Sequence, residues 1–145
     1  MNKKISSSIH RINYLNAELN ALYHNASLKL GLTDSASIVL YTIYDNGGNC
    51  LLSDIYKQSG ISKQTVNSAI RNLEKENIIF LEQHSGRAKK VMLTDTGKEY
   101  AQKTVARLFD AEAAAFSSWT DDEINAHIGF MEKYINSFRE QVERI

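Results

Sequence analysis

The chain has 145 residues, 43% of them hydrophobic and 23% charged, which suits one globular domain with its own core. No apolar run approaches the ~18 residues of a membrane-spanning helix, and the N-terminus lacks the apolar segment of a signal peptide. We therefore expect a cytoplasmic protein with no membrane partner. The single cysteine, Cys50, excludes an intrachain disulfide and fits a reducing compartment.

The formal net charge is zero, but the charges are unevenly distributed along the chain. Residues 1–50 carry a net charge of +1, residues 51–98 of +3 and residues 99–145 of −4. The basic middle keeps nucleic acid among the candidate partners although the whole chain is neutral.

The chain is predicted to begin with two helices. Residues 7–29 place apolar side chains three and four positions apart, as one face of a long helix does. Gly31 stands where a left-handed cap would end this helix. Thr33 is expected to cap a second, mostly buried helix, which stops at the turn-forming residues 45–49.

The middle of the chain predicts a helix-turn-helix. A short apolar strand at residues 50–52 is followed by Ser53, the expected N-cap of a third helix at residues 54–59. Gly60 makes the turn, and Ser62 caps a fourth helix that runs to about residue 76. Its buried stripe is Val66, Ile70 and Leu73.

Two short strands joined by a basic loop follow the fourth helix. Asn77 tolerates the left-handed conformation that lets the chain leave the helix. The strands are residues 78–82 and 91–93. The loop between them, the wing, contains Ser85-Gly86 as a flexible turn.

The last part of the chain predicts two more helices. Thr94 caps the fifth, which has Gly97 in its first turn and apolar side chains up to Phe116. Thr120 with Glu123 forms a capping box for the last helix. There the apolar residues alternate steps of four and three to the end of the chain, which is the seam of helix-on-helix association.

The outer face of the fourth helix carries side chains that suit a DNA-reading helix. Arginine can donate two hydrogen bonds to guanine, Asn and Gln can pair with adenine, and hydroxyls contact bases or phosphates. A solvated amphipathic helix is the alternative, but the glycine turn before it and the basic wing after it favour DNA. The predicted DNA contacts are Ser62, Lys63, Gln64, Thr65, Asn67, Ser68 and Arg71 on the helix and Arg87, Lys89 and Lys90 in the wing.

These motifs together resemble the MarR-type transcriptional regulators over nearly the whole chain. The resemblance rests on Leu32-Thr33, Ser62-Lys63-Gln64-Thr65-Val66, Ile70-Arg71-Asn72-Leu73-Glu74-Lys75, Gly86-Arg87-Ala88-Lys89, and Leu93-Thr94 followed by Gly97. It implies an obligate homodimer whose first, fifth and sixth helices interlock, a palindromic double-stranded DNA operator, and control by a small ligand or by oxidation.

The expected fold class is mainly α (α+β), a winged helix-turn-helix with long N- and C-terminal dimerisation helices. Residues 1–145 form a single MarR-like domain, with a DNA-binding lobe at residues 33–98 and dimerisation helices at residues 1–32 and 99–145. The candidate dimerisation residues are Ile9, Ile12, Ile128, Ile135, Phe138 and Val142.

Three residues depart from the family pattern, and one of them, Asn77 where glycine is common, is benign because Asn tolerates the same backbone angles. Arg87 matches the wing-tip arginine of the family's Asp-x-Arg motif, but Ser85 stands where the aspartate is usual. Because that aspartate supports the arginine, its replacement predicts a less rigid wing. Tyr56 stands where helix-turn-helix units generally place a small residue at the closest approach of the two helices.

The effector is the least constrained part of the prediction. Family members that bind phenolic or other aromatic acids do so between the dimer helices and the reading helix. Candidate lining residues are Tyr14, Tyr41, Tyr44 and Phe109, for which core packing is the alternative role. Cys50 is not near the first helix, where the redox-sensing members carry their cysteine, and is expected in the core. The histidines lack metal-ligand spacing, so we expect no metal and no cofactor.

The predicted function is a dimeric, sequence-specific DNA-binding transcriptional regulator, a ligand-responsive repressor. The alternative is a winged-helix protein–protein interaction module without DNA binding. We do not expect an enzyme, because the sequence has no nucleophile elbow, phosphate-binding glycine loop or zinc signature.

Overall fold

The computed structural model describes residues 2–145 and contains two compact units, one ending at Leu108 and the other spanning Phe109–Ile145. The helices are α1 (Lys3–Lys29), α2 (Asp34–Asp45), α3 (Leu52–Gln58), α4 (Lys63–Lys75), α5 (Asp95–Lys103), α6 (Val105–Phe116) and α7 (Asp121–Val142). The strands are β1 (Asn49–Leu51), β2 (Ile79–Gln83) and β3 (Lys89–Leu93). The predicted fold class, a mainly α winged helix with a small sheet, is confirmed. Within residues 2–145, no helix has the length and apolar character needed to cross a membrane.

The sheet is antiparallel, with β3 between β1 and β2. Side chains of a strand alternate between the two faces of the sheet, so Val91 and Leu93 are buried in the core while Met92 between them faces away from it. The pairing register places Glu82 of β2 and Leu51 of β1 opposite Lys90 of β3. The β2–β3 hairpin is the wing, and a short connection joins it to the end of α4.

Four predicted helix caps are confirmed by their hydrogen bonds. The side-chain oxygens of Thr33, Ser62, Thr94 and Thr120 accept backbone N–H groups three residues ahead, at 3.2, 3.2, 2.8 and 3.1 Å. Each bond satisfies a backbone donor that has no partner within its helix. Asn77 leaves α4 with φ 59°, the left-handed conformation predicted for it.

Two predicted helix starts are wrong. The third helix begins at Leu52, so Ser53 lies inside it and is not its N-cap. The reason is that the Asp54 carboxylate accepts the Leu51 N–H at 3.2 Å and supports a start two residues ahead of the predicted one. The first helix begins at Lys3, because Asn2 caps it by accepting the Lys4 N–H at 3.0 Å.

The predicted fifth helix is interrupted at Thr104, which separates α5 from α6. The backbone of Thr104 has φ −122° and ψ −93°. Its hydroxyl donates to the Tyr100 carbonyl at 2.7 Å, while its N–H bonds to Ala101 and not to the carbonyl four residues back. A hydroxyl that occupies the carbonyl of residue i−4 competes with the helical ladder and bends the helix.

The core of the first unit lies between α2, α4 and the sheet. α2 contributes Val39, Leu40 and Ile43, and α4 contributes Val66, Ala69, Ile70 and Leu73, which confirms the predicted stripe. α1 buries only Ser27 among its residues. Its end is held to the start of α2 by His24, whose Nδ1 lies 2.8 Å from an Asp34 carboxylate oxygen.

The motif Leu93-Thr94 followed by Gly97 joins the sheet to α5. The Thr94 N–H donates to the Ile78 carbonyl at 3.0 Å, and the Thr94 hydroxyl donates to the Asn77 carbonyl at 2.6 Å. A Cβ at Gly97 would clash with the Ile78 carbonyl oxygen and lie 2.9 Å from its carbon. Only glycine lets α5 approach the end of α4 this closely.

The second unit contains the last turns of α6 and the whole of α7. At its bend Phe116, Trp119 and His127 form an aromatic cluster, with ring centroids 5.0 Å apart for Phe116 and Trp119 and 5.5 Å for Trp119 and His127. No residue of α7 is buried. Its apolar seam is therefore exposed in the single chain.

Candidate nucleic-acid interface

The start of α4 has a fixed first turn. Ser62 accepts the Thr65 N–H, and the Ser62 and Thr65 hydroxyl oxygens lie 2.8 Å apart. The first backbone N–H groups of a helix lack internal partners, and the helix dipole places positive potential there. An exposed and well-ordered helix start of this kind suits a DNA phosphate.

The outer face of α4 presents the predicted contact residues to solvent. Lys63, Gln64, Thr65, Ser68 and Arg71 are exposed, whereas the opposite side of the helix is buried in the core. The Arg71 Nη2 donates to the Ser68 hydroxyl at 3.2 Å, which lays the guanidinium along the outer face. Because the helix carries no carboxylate before Glu74, this face is free of groups that repel phosphates.

Asn67 is placed differently from the other predicted contacts on α4. It is half-buried, and its Oδ1 accepts a hydrogen bond from the hydroxyl of Tyr56 on α3 at 2.5 Å. The Lys63 ammonium lies 5.3 Å from the centroid of the same tyrosine ring, within the range of a cation–π contact. Sequence reasoning identified Tyr56 only as a departure from the family pattern and missed its contacts with α4.

The wing has a closed turn although Ser85 replaces the family's aspartate. The His84 N–H donates to the Ala88 carbonyl and the Ala88 N–H to the Ser85 carbonyl, both at 2.9 Å. The Gln83 side chain donates to the carbonyl of Gly86, which has φ 54°. These bonds restrain the segment that carries Arg87 at the exposed tip.

The two predicted wing lysines point to opposite faces of the sheet. Both belong to β3, where consecutive side chains alternate. Lys89 is exposed, whereas Lys90 is half-buried beside its cross-strand neighbour Glu82. Lys89 is therefore the more available of the two for a phosphate contact.

The predicted pocket residues lie on α1, α2 and α6. Tyr14 is exposed on α1, with the Arg11 guanidinium 5.5 Å from its ring centroid. Tyr41 and Tyr44 on α2 are half-buried and pack against the core, as the alternative role expects, and Phe109 lies in the second unit with 42% exposure. An open groove of about 450 Å³ runs along α1, lined by Leu22, Asn25, Ala26, Leu28 and Lys29. None of the predicted pocket residues is among them.

The predicted dimerisation residues are large apolar side chains exposed in the single chain. Their exposed fractions lie between 44% and 52%. Within each helix they lie three, four or seven positions apart, on one face, and a monomeric protein rarely leaves an extended apolar face of this kind in water. The set comprises Ile9 and Ile12 on α1 and Ile128, Ile135, Phe138 and Val142 on α7.

Cys50 lies in the core, and among the described residues the histidines do not belong to a group of metal ligands. Cys50 is buried in the core, and burial, with a smaller contribution from the Asp54 charge, raises the pKa of its thiol to about 11. A thiol with a raised pKa is a poor nucleophile at neutral pH. Among the residues that the structure describes, no three His, Cys, Asp or Glu side chains are grouped to hold a metal ion.

Comparisons with known proteins agree with this geometry. The MarR family model matches residues 30–89, the segment from the start of α2 into the wing. No curated protein matches the chain. The solved structure of NMB1585, a MarR family regulator from Neisseria meningitidis, is similar with a TM-score of 0.82 at 19% identity, covering 99% of each chain.

Two further solved structures share the fold. MepR from S. aureus, solved with DNA, has a TM-score of 0.67 at 18% identity and covers 89% of this chain and 96% of its own. BpsR from Bordetella bronchiseptica, whose DNA binding is regulated by 6-hydroxynicotinic acid, has a TM-score of 0.64 at 20% identity. That match covers 86% of this chain and 98% of BpsR.

Proposed function

We propose that this chain, which the MarR family model matches over residues 30–89, is a MarR-type transcriptional regulator that acts as a homodimeric, sequence-specific DNA-binding repressor. The observation that carries the proposal is the outer face of α4. There a capped helix start is followed by exposed cationic and amide side chains, with no carboxylate before Glu74. Arg71 and Gln64 are suited to base edges, and Lys63 to a phosphate.

The wing supplies the second group of contacts. Arg87 at the tip and Lys89 beside it extend from a turn closed by backbone hydrogen bonds. A restrained cationic hairpin suits phosphates next to the groove or the minor groove itself. These contacts set the position of the protein on DNA, and α4 supplies the specificity.

Dimerisation is required for the two reading helices to act together. The apolar side chains of α1 and α7 that are about half-exposed in one chain support association with a second copy. In such a dimer the α4 helices lie one helical turn of DNA apart, about 34 Å, and enter successive major grooves. The operator is accordingly palindromic, and the bound dimer blocks transcription sterically.

A small aromatic or phenolic molecule is the proposed effector. The support is BpsR, whose DNA binding responds to 6-hydroxynicotinic acid, together with tyrosines on α1 and α2 in this chain. An effector that binds one conformation of the dimer more tightly shifts the population towards that conformation. The dimer leaves DNA if the two α4 helices in that conformation are no longer spaced to enter successive major grooves.

The test is the salt dependence of binding to DNA selected from a random duplex pool. Each phosphate neutralised by the protein contributes about −0.9 to the slope of log affinity against log salt. We expect a steep negative slope that falls in magnitude by about 1 in Arg87→Ala. Lys133→Ala, which removes an exposed cation of α7, is expected to leave the slope unchanged. A slope near zero would favour a protein-interaction module instead.

A further inference from the structure

One side of α4 is held by a side chain of α3. Tyr56 is half-buried on α3, and its hydroxyl donates to the Asn67 Oδ1 at 2.5 Å. Lys63 lies four residues before Asn67, on the same side of the helix, and its ammonium is 5.3 Å from the centroid of the Tyr56 ring. One tyrosine therefore restrains both side chains of this side of α4, the α3 flank (Lys63 and Asn67).

The side chains suited to base edges lie on a different side of α4. Gln64, Ser68 and Arg71 are spaced by four and three residues and form one exposed stripe. Residues two positions apart, such as Gln64 and Val66, lie on nearly opposite sides of a helix. Because Val66 is fully buried, the stripe faces away from the core. Asn67 is only half-buried and lies at the border between the two sides.

The dimensions of the major groove place these two sides against different parts of DNA. A helix with its side chains is about 10–12 Å across, and the groove is about 12 Å wide. A helix that fills the groove turns its outward face to the base edges and its flanks to the walls, which are the sugar-phosphate backbones. The stripe of Gln64, Ser68 and Arg71 then meets bases, and the α3 flank meets phosphates.

The groups on the α3 flank suit a phosphate. Phosphate oxygens accept hydrogen bonds, and both the Lys63 ammonium and the Asn67 amide nitrogen are donors. The Asn67 oxygen has two lone pairs, of which the Tyr56 hydroxyl uses one, so the amide keeps its hydrogen-bonding capacity for DNA. The bond instead restrains the position of the side chain before DNA arrives, which lowers the entropy cost of ordering it on binding.

We infer that Asn67 donates to a DNA phosphate and not to a base, and that Tyr56 is a positioning residue that holds Asn67 for this contact. The inference rests on the proposed function of α4 as the reading helix. A phosphate contact raises affinity for every sequence and carries no base preference. Asn67 thus belongs to sequence-independent binding, although the amide type alone suggested a base contact.

Asn67→Ala tests the phosphate contact. It should weaken binding to a selected site and to random duplex by the same factor, about a hundredfold for a dimer that loses two hydrogen bonds to phosphate. The bases selected from a random duplex pool should not change. In an ethylation interference experiment, one phosphate of each half-site should interfere with binding of the unaltered protein but not of Asn67→Ala. Gln64→Ala is the matched control on α4, and it should change one selected base and keep that phosphate.

Tyr56→Phe tests the positioning role. Phenylalanine keeps the ring beside the Lys63 ammonium and removes only the donor to Asn67. Affinity for both DNAs should fall about tenfold in the folded dimer, with the same bases selected. Adding Tyr56→Phe to Asn67→Ala should lower affinity no further, whereas a merely structural role of the tyrosine would weaken binding in both backgrounds. Tyr100→Phe, which removes a hydroxyl from α5, is the control and should bind as the unaltered protein does.

The outcomes separate the inference from the proposed function. If the unaltered protein selects no sequence, the proposed function fails and the inference with it. If it selects a site and Asn67→Ala changes a selected base or keeps every interfering phosphate, the inference alone is overturned. A Tyr56→Phe protein that binds DNA as tightly as the unaltered one would overturn the role of Tyr56. Asn67→Ala still tests the phosphate contact if Tyr56→Phe does not fold.

Discussion

Replacing Gly97 by alanine tests the joint between the sheet and α5. The new Cβ would clash with the Ile78 carbonyl oxygen and lie 2.9 Å from the carbonyl carbon, where about 3.5–4.0 Å is comfortable. The clash is with backbone, so α5 must move by half an ångström or more. We expect overpacking to cost about 1–3 kcal/mol, and the strained Thr94 bonds to Asn77 and Ile78 about 1 kcal/mol each.

The better helix propensity of alanine returns about 1 kcal/mol, so Gly97→Ala should lower the free energy of unfolding by about 2–4 kcal/mol. Urea unfolding followed by circular dichroism measures this change. The control is Gly129→Ala on α7, where no atom lies within 4 Å of the new Cβ; it should be neutral or stabilising. A Gly97→Ala protein as stable as the unaltered one, within ~0.5 kcal/mol, would refute the reasoning.

Three further variants test the reading helix, the dimer and the core thiol. Arg71→Ala should relax specificity at one base pair and weaken operator binding by ~1–3 kcal/mol, measured by competition between selected and altered sites; unchanged selectivity would show that Arg71 reads no base. The double variant Ile135→Glu, Phe138→Glu should be monomeric by light scattering, because charges cannot be buried in an apolar seam. The control Lys133→Glu should stay dimeric. A dimeric double variant would place the interface elsewhere. At pH 8, native Cys50 should react with iodoacetamide about a hundredfold more slowly than in the unfolded chain, because burial raises its pKa from 9.0 to about 11. The free energy of unfolding should also fall as pH rises from about 9 towards 11, since the unfolded thiol ionises first; equal native and unfolded reactivity would contradict a buried thiol.

The features that sequence predicted well are local ones. Ser62 and Thr94 cap their helices as predicted, because an N-cap needs only a hydroxyl at the right distance from the first amides. Asn77 takes the left-handed conformation for an equally local reason. Ser53 shows the limit, since the Asp54 carboxylate accepts the Leu51 N–H and makes Leu51 the N-cap in its place.

The features that sequence missed depend on contacts between distant residues or on exact boundaries. Tyr56 and Asn67 are 11 positions apart, and their hydrogen bond exists only because α3 and α4 cross at that point. The break at Thr104 depends on which carbonyl its hydroxyl meets. Lys89 and Lys90 both looked like loop cations, but β3 begins at Lys89 and its alternation separates them.

Methylation protection of guanine N7 on a selected DNA site tests the central claim most directly, because N7 lies in the major groove. If two α4 helices of one dimer enter successive major grooves, two protected segments should appear with centres about 10–10.5 base pairs apart. Exchanging Arg71 for alanine should weaken protection in both segments equally. Bound DNA that stays fully methylated, or that shows a single protected segment, would contradict the account.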